Sequence, residues 1–378
     1  MRILQVITSL KMGGAEKLVS ELVPALTAKG HVVDVALFDG ADTPFKRDLI
    51  AAGVSVVSFS NGGSVYNPKR ILQLRRIIRN YDIVHTHNAA PQFAAAVLGR
   101  KTSAFLITTE HSTSNRRRVM KLFPRALDRW MYRRYDRIVC ISDKATENLI
   151  TYLGGTFPAS RISTIYNGVD LEKFRKAKPF NRHLISPSSE KKYVVTMVAG
   201  FRPAKDQDSL IRAISKLPPD EYELWLVGDG PRRRDLERLV SDLHVKNVFF
   251  LGIRNDVPAI LKTSDLIVMS SHYEGLSLSS IEGMCGGKPF VASDVDGLHE
   301  VVKGAGVLFP HENDSMLAKI IEDLRLSKDL ADRIANACKK RADLYDIRKT
   351  VEAYHRMYSH FDQLDFDKSR PSTIDNRI

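Results

Sequence analysis

Short apolar runs alternate with longer amphipathic stretches along most of this chain of 378 residues. The short runs, for example 3–8 and 266–269, are typical of buried strands, and stretches such as 15–29 and 68–79 have helical patterns. This alternation is typical of parallel sheets covered by helices. At roughly 100–200 residues per domain, the chain is long enough for about two domains. The sequence therefore predicts an α/β fold with two doubly wound parallel sheets.

A polar, charged stretch at 173–192, which contains Pro179 and Pro187, separates two series of predicted strands. The first series comprises 3–8, 32–37, 54–59, 83–87, 105–109 and 137–141, and the second comprises 194–198, 223–227, 248–251, 266–269 and 289–292. We therefore expect a first domain at 1–175 and a second at 193–345. Residues 346–378 are predicted to form a helix that returns to the first domain, followed by a frayed tail.

Composition narrows the class of protein. Hydrophobic residues make up 43%, which excludes a disordered chain, and the three cysteines lie far apart and do not predict a disulfide framework. No stretch approaches the roughly 20 apolar residues that span a membrane. We expect a cytoplasmic protein, or one that is peripheral at the inner membrane face.

Two glutamates flank a predicted helix start in the second half. Glu274 follows the strand at 266–269, and Glu282 lies in the first turns of a helix predicted to begin near Leu278. The backbone amides of 275–279 lie between them, near the positive end of the helix dipole, which suits a phosphate on the amides and hydroxyl groups on each carboxylate. In the alternative reading, Glu282 only complements the helix N-terminus and Glu274 is a solvated loop residue.

Two cations follow another strand of the same predicted domain. Arg202 and Lys205 come directly after the strand at 194–198, and an arginine there can bind phosphate oxygens bidentately. Gly228-Asp229-Gly230 ends the strand at 223–227 and permits a close approach of backbone to a ligand. Arg233 replaces the third glycine of a dinucleotide fingerprint, so a nicotinamide site is disfavoured.

These residues, with further motifs in the same order, resemble glycosyltransferase family 4 from residue 1 to about residue 360. The further motifs are Gly13-Gly14-Ala15-Glu16, Asp82-Ile83-Val84-His85-Thr86-His87, Glu110-His111-Ser112, Cys140-Ile141-Ser142, Asn167-Gly168-Val169-Asp170 and the segment 294–300. Members of that family are retaining, nucleotide-sugar-dependent enzymes. The resemblance implies the GT-B fold, in which two Rossmann-like domains face each other across a cleft, with the acceptor on the first and the nucleotide sugar on the second.

The resemblance also assigns roles to residues. It implies that Arg202 and Lys205 hold the donor diphosphate and stabilise the departing charge. The residues expected to bind the rest of the donor are Gly14, Gly228, Arg254, Gly275, Leu276, Ser277 and Glu282, with Glu282 on the ribose and the backbone near Arg254 on the base. Glu274 and His111 are expected to contact the transferred sugar.

No cofactor and no metal ion are expected beside the nucleotide sugar. Asp294-Val295-Asp296 imitates the Asp-x-Asp motif of metal-dependent transferases, but it falls in a loop that the family fills with two glycines. Gly283 stands where the family commonly has alanine, and Asp296 and His299 also depart from its pattern. His85 and His87 point to one face of a strand without a third metal ligand at suitable spacing, so we expect substrate contact or packing.

Positive charge is concentrated in the first half. Residues 1–175 contain 26 Lys and Arg against 14 Asp and Glu, a net charge of +12 out of +13. Arg118, Lys121, Arg125 and Arg129 fall on one side of a predicted helical segment. They are expected to face an anionic membrane surface or a polyprenol-linked acceptor, and the alternative is a solvated helix face. Nucleic acid is not expected as a partner, because no zinc or helix-turn-helix pattern is present.

The sequence thus predicts a retaining hexosyltransferase. It would move a hexose or N-acetylhexosamine from a nucleoside-diphosphate sugar, with UDP the favoured nucleotide, to a glycan or lipid-linked acceptor in surface polysaccharide biosynthesis. The alternatives are a nucleotide-sugar epimerase of related fold and a non-catalytic protein that binds nucleotide sugars.

Overall fold

The computed structural model of the chain describes residues 1–360, apart from 12, 100–101, 113–124, 156 and 187–188. Its strands form two sheets. The strands of the first sheet are β1 (Arg2–Ile7), β2 (Val32–Leu37), β3 (Val56–Ser58), β4 (Ile83–His87), β5 (Phe105–Glu110), β6 (Arg137–Cys140) and β7 (Ile162–Thr164). Those of the second are β8 (Tyr193–Val198), β9 (Tyr222–Val227), β10 (Val248–Gly252), β11 (Leu266–Met269), β12 (Phe290–Ser293) and β13 (Val307–Phe309).

Helices connect most of these strands. Up to β8 they are α1 (Gly14–Ala28), α2 (Pro44–Ala51), α3 (Pro68–Ile77), α4 (Ala89–Leu98), α5 (Arg125–Tyr132), α6 (Asp143–Leu153) and α7 (Leu171–Arg175). After β8 they are α8 (Gln207–Ile214), α9 (Arg233–Asp242), α10 (Val257–Thr263), α11 (Leu278–Cys285), α12 (Leu298–Val302), α13 (Asp314–Leu326), α14 (Lys328–Ala342) and α15 (Ile347–Ser359).

Both sheets have the doubly wound order. The first runs β3-β2-β1-β4-β5-β6-β7 and the second β10-β9-β8-β11-β12-β13, so in each sheet the order reverses beside the first strand. The strand pairs of the second sheet are all parallel. The prediction of two doubly wound sheets is confirmed, and ligands of such sheets bind at the reversal point, beyond the carboxyl ends of the strands.

Burial on both faces explains why the strands are apolar runs. Leu224 and Leu226 of β9 belong to the larger core of the second sheet, whereas Trp225 between them packs with Val194 and Ile260 in a smaller cluster. Successive side chains of a strand point to opposite faces, so both faces of the sheet are covered.

Side-chain caps fix several helix starts. Asp206 accepts a hydrogen bond from the amide of Ser209 at 3.3 Å, and Ser142 accepts one from that of Ala145 at 3.2 Å. Each of these side chains accepts a hydrogen bond from a backbone amide that has no partner within the helix.

The contacts divide the chain into two compact units. Of the described residues, one unit comprises those within 1–109, 130–138 and 351–360, and the other comprises those within 110–129 and 139–350. This division differs from the predicted first domain, 1–175, because it groups residues within 110–129 and 139–175 with the second unit. The predicted domain bounds stay a prediction.

A buried polar network lies inside the first unit. His85 Nδ1 is 2.5 Å from the hydroxyl of Tyr358, which also accepts a hydrogen bond from the Gln5 amide at 3.1 Å. His87 Nε2 is 2.8 Å from Gln5 Oε1. Because both histidines are buried and hydrogen-bonded to protein, they serve packing, as the second of the two expectations for them stated.

Among the described residues no helix is both long enough and apolar enough to cross a membrane.

A substitution at Gly228 tests how closely the loops of the second sheet pack. Its φ is +135°, and a Cβ there would lie 2.1 Å from the carbonyl oxygen of Ala199. We expect Gly228→Ala to lower the free energy of unfolding by at least about 2 kcal/mol in denaturant titrations, because backbone must move and the conformation is strained.

Gly286→Ala is the matched control. Gly286 has φ −70°, and the nearest atom to an added Cβ is 3.9 Å away. The free energy of unfolding of the Gly286→Ala variant should stay within about 0.5 kcal/mol of the wild-type value. Equal losses in the two variants would contradict the close packing described at Gly228.

Candidate active site

The site is built where the second sheet reverses its strand order, between β8 and β11. These two strands are neighbours in the register Ile267 opposite Thr196, so Met269 and Val198 end them at the same level. The loop that follows each strand therefore starts beside the other, and both loops extend beyond the carboxyl edge of the sheet.

The loop after β8 carries the two predicted cations. Arg202 is exposed, and its backbone amide donates to Gly200 O at 2.9 Å. A short 3₁₀ turn at Pro203–Lys205 follows and ends at Asp206, which adopts the left-handed conformation with φ 46° and caps α8. The turn thus fixes the position of Lys205 relative to the start of α8.

Two hydrogen bonds to backbone carbonyls hold the two loops together. The amide of His272 donates to Ala204 O at 2.9 Å, and the hydroxyl of Ser270 donates to Asp206 O at 2.7 Å. Because each bond joins one loop to the other, neither can shift alone.

An ion pair joins the loops at the predicted sugar-binding glutamate. Lys205 Nζ lies 2.5 Å from Glu274 Oε1, and the same oxygen accepts a hydrogen bond from the Ser271 hydroxyl at 2.8 Å. The Glu274 side chain is 10% exposed and that of Lys205 24%. Glu274 is therefore not the solvated loop residue of the alternative reading.

The helix after this loop presents the second glutamate. α11 begins at Leu278 with Ser277 at its N-cap, so the amides of 275–277 precede a helix N-terminus as predicted. Glu282 is the fifth residue of the helix and is buried. It lies beyond the first turn, where complementing the helix dipole is weaker, which argues against that alternative for Glu282.

Glycines allow neighbouring backbone to pack against these loops. Gly297 has φ 83°, and a Cβ there would lie 2.5 Å from the carbonyl oxygens of Glu274 and Gly275. Gly283 of α11 faces Ile267 and Phe290, whose side-chain atoms lie 2.8 Å from an added Cβ. The departure from alanine at Gly283 is thus explained by packing of α11 on the sheet.

The loop after β9 lies on the other side of β8. Gly228 donates to Gly252 O at 2.8 Å, and Phe201 donates to Asp229 O at 3.0 Å. Gly228 therefore brings the ends of β8, β9 and β10 together, close to the predicted phosphate-binding loop.

Arg254, in the loop after β10, is held by a carboxylate. Its Nε and one terminal nitrogen donate to the two oxygens of Asp256 at 2.8 and 2.7 Å. This pair raises the pKa of Arg254 and lowers that of Asp256. The guanidinium also stacks 5.2 Å from the Phe180 ring centroid, so the side chain has partners within the protein and the loop backbone remains the part predicted to bind the base.

His111 and Gly14 lie away from these loops in the chain. Burial lowers the pKa of His111 to about 4, against the opposing effect of the Glu110 carboxylate, so the ring is neutral at neutral pH. A neutral imidazole can donate and accept hydrogen bonds. Gly14 is the first residue of α1 in the other compact unit, with Gly13 at the N-cap.

Only part of the predicted basic segment, Arg125 and Arg129, lies within the described residues. Arg118 and Lys121 lie outside the described residues. Arg125 Nε donates to Tyr152 O at 2.7 Å and a terminal nitrogen reaches Thr151 O at 3.4 Å, so Arg125 binds carbonyls of the last turn of α6. Arg129 lies close to Gly154, just beyond that helix. Within the described residues, Arg125 therefore stabilises the end of α6, and Arg129 lies beside it.

The structure thus brings Arg202, Lys205, Glu274, the amides of 275–277 and Glu282 to two adjacent loops and the helix that follows. Sequence reasoning missed Asp206, Ser271 and Gly297, which orient these loops. The signal for Asp206 was its place before a helix, a favoured N-cap position. No local signal marks Ser271 or Gly297, because their contacts depend on which strands are neighbours.

A double-mutant cycle tests the ion pair that joins the loops. We expect the unfolding free energies of Lys205→Met, Glu274→Gln and the double variant to give a coupling of about 1 kcal/mol, because the pair is largely shielded from water. The exposed pair of Arg47 and Asp42, whose side chains are 65% and 69% exposed, serves as control and should give a coupling below about 0.5 kcal/mol. A coupling for Lys205 and Glu274 no larger than the control would contradict the geometry.

Comparisons with known proteins agree with this architecture. The family model Glycosyltransferase Family 4 matches residues 12–173, and Glycosyl transferases group 1 matches residues 181–341. The chain is 29% identical over 343 residues to the Escherichia coli UDP-Gal:alpha-D-GlcNAc-diphosphoundecaprenol alpha-1,3-galactosyltransferase, covering 84% of this chain and 86% of the relative. It is 25% identical over 382 residues to the Bacillus anthracis N-acetyl-alpha-D-glucosaminyl L-malate synthase, covering 95% of this chain and 96% of the relative.

Solved structures show the same fold. Anabaena Alr3699/HepE in complex with UDP and glucose superposes with a TM-score of 0.81 at 24% identity, covering 95% of this chain and 99% of that one. WaaG, a glycosyltransferase involved in lipopolysaccharide biosynthesis, superposes with a TM-score of 0.70 at 17% identity, covering 94% of this chain and 99% of that one. The predicted GT-B fold is confirmed, and the enzyme reading is favoured over the epimerase and the non-catalytic protein. This chain belongs to the family 4 type of GT-B glycosyltransferases and transfers a hexose from a nucleotide sugar.

Proposed function

We propose that this enzyme transfers a hexose or N-acetylhexosamine, with retention of anomeric configuration, from a UDP-sugar to a glycan or lipid-linked acceptor in surface polysaccharide biosynthesis. One observation supports the proposed donor site above the others: the ion pair of Lys205 and Glu274 at the reversal point of the second sheet. It places a cation for the diphosphate beside a carboxylate for the sugar.

The charges fit a diphosphate leaving group. Arg202 is exposed, and among the described residues no acidic partner of its guanidinium is found, so it is available to phosphate oxygens. The amides before α11 add the positive end of a helix dipole. Such fixed donors stabilise negative charge that develops on a leaving phosphate.

The relatives support the donor and the acceptor class. The name of the E. coli relative contains UDP-Gal as donor and a diphosphoundecaprenol-linked GlcNAc as acceptor. The B. anthracis relative is named for an N-acetylglucosaminyl product with L-malate. Both transferred groups fall within the proposed hexose or N-acetylhexosamine class, whereas the acceptors differ in size.

The environment of Glu274 favours a mechanism without a carboxylate nucleophile. Retaining glycosidases use a free carboxylate that attacks the sugar. Here one oxygen of Glu274 already accepts from Lys205 and Ser271, so the group is suited to bind sugar hydroxyls. We propose a same-face displacement in which the leaving phosphate takes the acceptor proton and no metal ion is needed at the diphosphate.

Thermal shifts with nucleotide sugars test the donor. UDP-galactose or UDP-N-acetylglucosamine should raise the melting temperature more than GDP- or ADP-sugars, since a ligand at 100 times its Kd adds about 2.7 kcal/mol. Arg202→Ala should lose this shift while its unliganded melting temperature stays unchanged. Arg212→Ala, an exposed arginine on α8, should keep the shift. Stabilisation by none of the nucleotide sugars would contradict the proposed site.

A lipid-linked acceptor requires approach to a membrane, and the first unit offers a basic face. Lys69, Arg75 and Arg76 of α3 and the following Arg79 are exposed, together with Leu72. Each basic residue near an anionic surface contributes roughly 1 kcal/mol. These four basic residues are among the 26 Lys and Arg of residues 1–175.

Vesicle binding tests this surface. Replacement of Arg75, Arg76 and Arg79 by Ser should weaken binding to phosphatidylglycerol vesicles about 100-fold at low salt, and Arg118→Ser with Lys121→Ser should weaken it about 30-fold. Replacement of the exposed Lys319, Lys339 and Lys340 by Ser changes the charge equally and should have a smaller effect. Unchanged binding in the first two variants would contradict the proposed membrane surface.

A further inference from the structure

Two histidines and two carboxylates converge beside the donor loops. Asp206 caps α8, His272 lies in the loop after β11, and His311 and Glu312 follow β13. One nitrogen or oxygen each of Asp206, His272 and His311 lies within 4.8 Å of the others. Three separate loops thus contribute one potential ligand atom each to a single point.

The individual distances place a fourth group at the same point. His272 Nδ1 lies 3.9 Å from Asp206 Oδ2 and 3.7 Å from Glu312 Oε1. His311 Nε2 faces His272 Nδ1 directly and lies 3.9 Å from Glu312 Oε1. A tetrahedral zinc ion with bonds of about 2.0–2.2 Å requires ligand atoms roughly 3.3 Å apart, so small side-chain movements complete the set.

We propose that Asp206, His272, His311 and Glu312 bind one divalent transition-metal ion, with zinc the fitting one. Two imidazole nitrogens that face each other are stabilised either by one shared proton or by one cation between them. Imidazole with carboxylate suits zinc, whereas magnesium prefers oxygen ligands alone.

The carboxylate of Asp206 is prepared for such a role. The residue is 4% exposed, and its Oδ2 accepts a hydrogen bond from the Ser209 hydroxyl at 2.6 Å. Hydrogen bonds of this kind orient metal-ligating carboxylates. Asp206 also has the backbone conformation fixed by its place between the 3₁₀ turn and α8.

The ion would act as a positioning element for the donor loops. Asp206 directly follows Lys205, and His272 lies two residues before Glu274. Lys205 and Glu274 pair with each other at 2.5 Å, and neither is a ligand of the proposed ion. The proposed ion therefore uses residues other than those of the diphosphate site, where no metal is expected. Binding of the ion stands independently of the proposed function, and only its effect on the donor rests on that function.

Zinc titration of chelator-stripped protein against a chromophoric competitor tests the proposal, with no nucleotide sugar present. We expect one zinc per chain, a higher melting temperature on binding, no such effect of magnesium, and a cobalt(II) absorption spectrum typical of tetrahedral coordination. His272→Gln and His311→Gln should each weaken zinc binding at least tenfold. His299→Gln removes a half-buried histidine that pairs only with Asp294 in the contacts of the described residues, and it should bind zinc as the wild type does.

Absence of stoichiometric zinc binding in the folded wild-type chain, or equal affinity in the His311→Gln and His299→Gln variants, would overturn the proposal. UDP binding measured on stripped and zinc-loaded protein separates the two hypotheses. If zinc binds and UDP does not, the metal site stands and the proposed donor is wrong. If UDP binds and zinc does not, the proposed donor stands and the metal site is wrong.

Discussion

The reversal of strand order between β8 and β11 is the constraint on which the rest of the site depends. Parallel strands joined by crossovers send their loops to one edge, and only at the reversal point do two loops leave in opposite directions and open a crevice. Because Val198 and Met269 end their strands at the same level, residues 69 positions apart meet as an ion pair. The chemistry of the site therefore follows from the topology of the sheet.

Close backbone packing maintains that crevice. Gly228 and Gly297 occur where neighbouring carbonyl oxygens leave no room for a side chain. Hydrogen bonds from His272 and Ser270 join the loop after β11 to the loop after β8. Fixed loops present their amides and cations without reorganisation when a charged ligand binds, and this is the condition under which electrostatic stabilisation is strongest.

Most of the fold could be predicted from the sequence, because buried parallel strands are apolar runs. The strands that escaped prediction, β7 (Ile162–Thr164) and β13 (Val307–Phe309), are three residues long and give too short a signal. The identity of Lys205 and Glu274 as site residues could also be predicted, but their pairing could not, since it depends on strand order. The same limit applies to Ser271 and to the convergence of His272 with His311. Arg125 shows the opposite case: its charge suggested a membrane contact, whereas its guanidinium binds carbonyls at the end of α6.

The central claim is that the loops after β8 and β11 together bind the diphosphate of the donor. Amide hydrogen exchange with and without UDP measures it most directly, because it reports binding segment by segment. We expect slower exchange in peptides that cover 199–206 and 271–282, with no change in α13 (Asp314–Leu326). Bound UDP with unchanged exchange in both loops would contradict it.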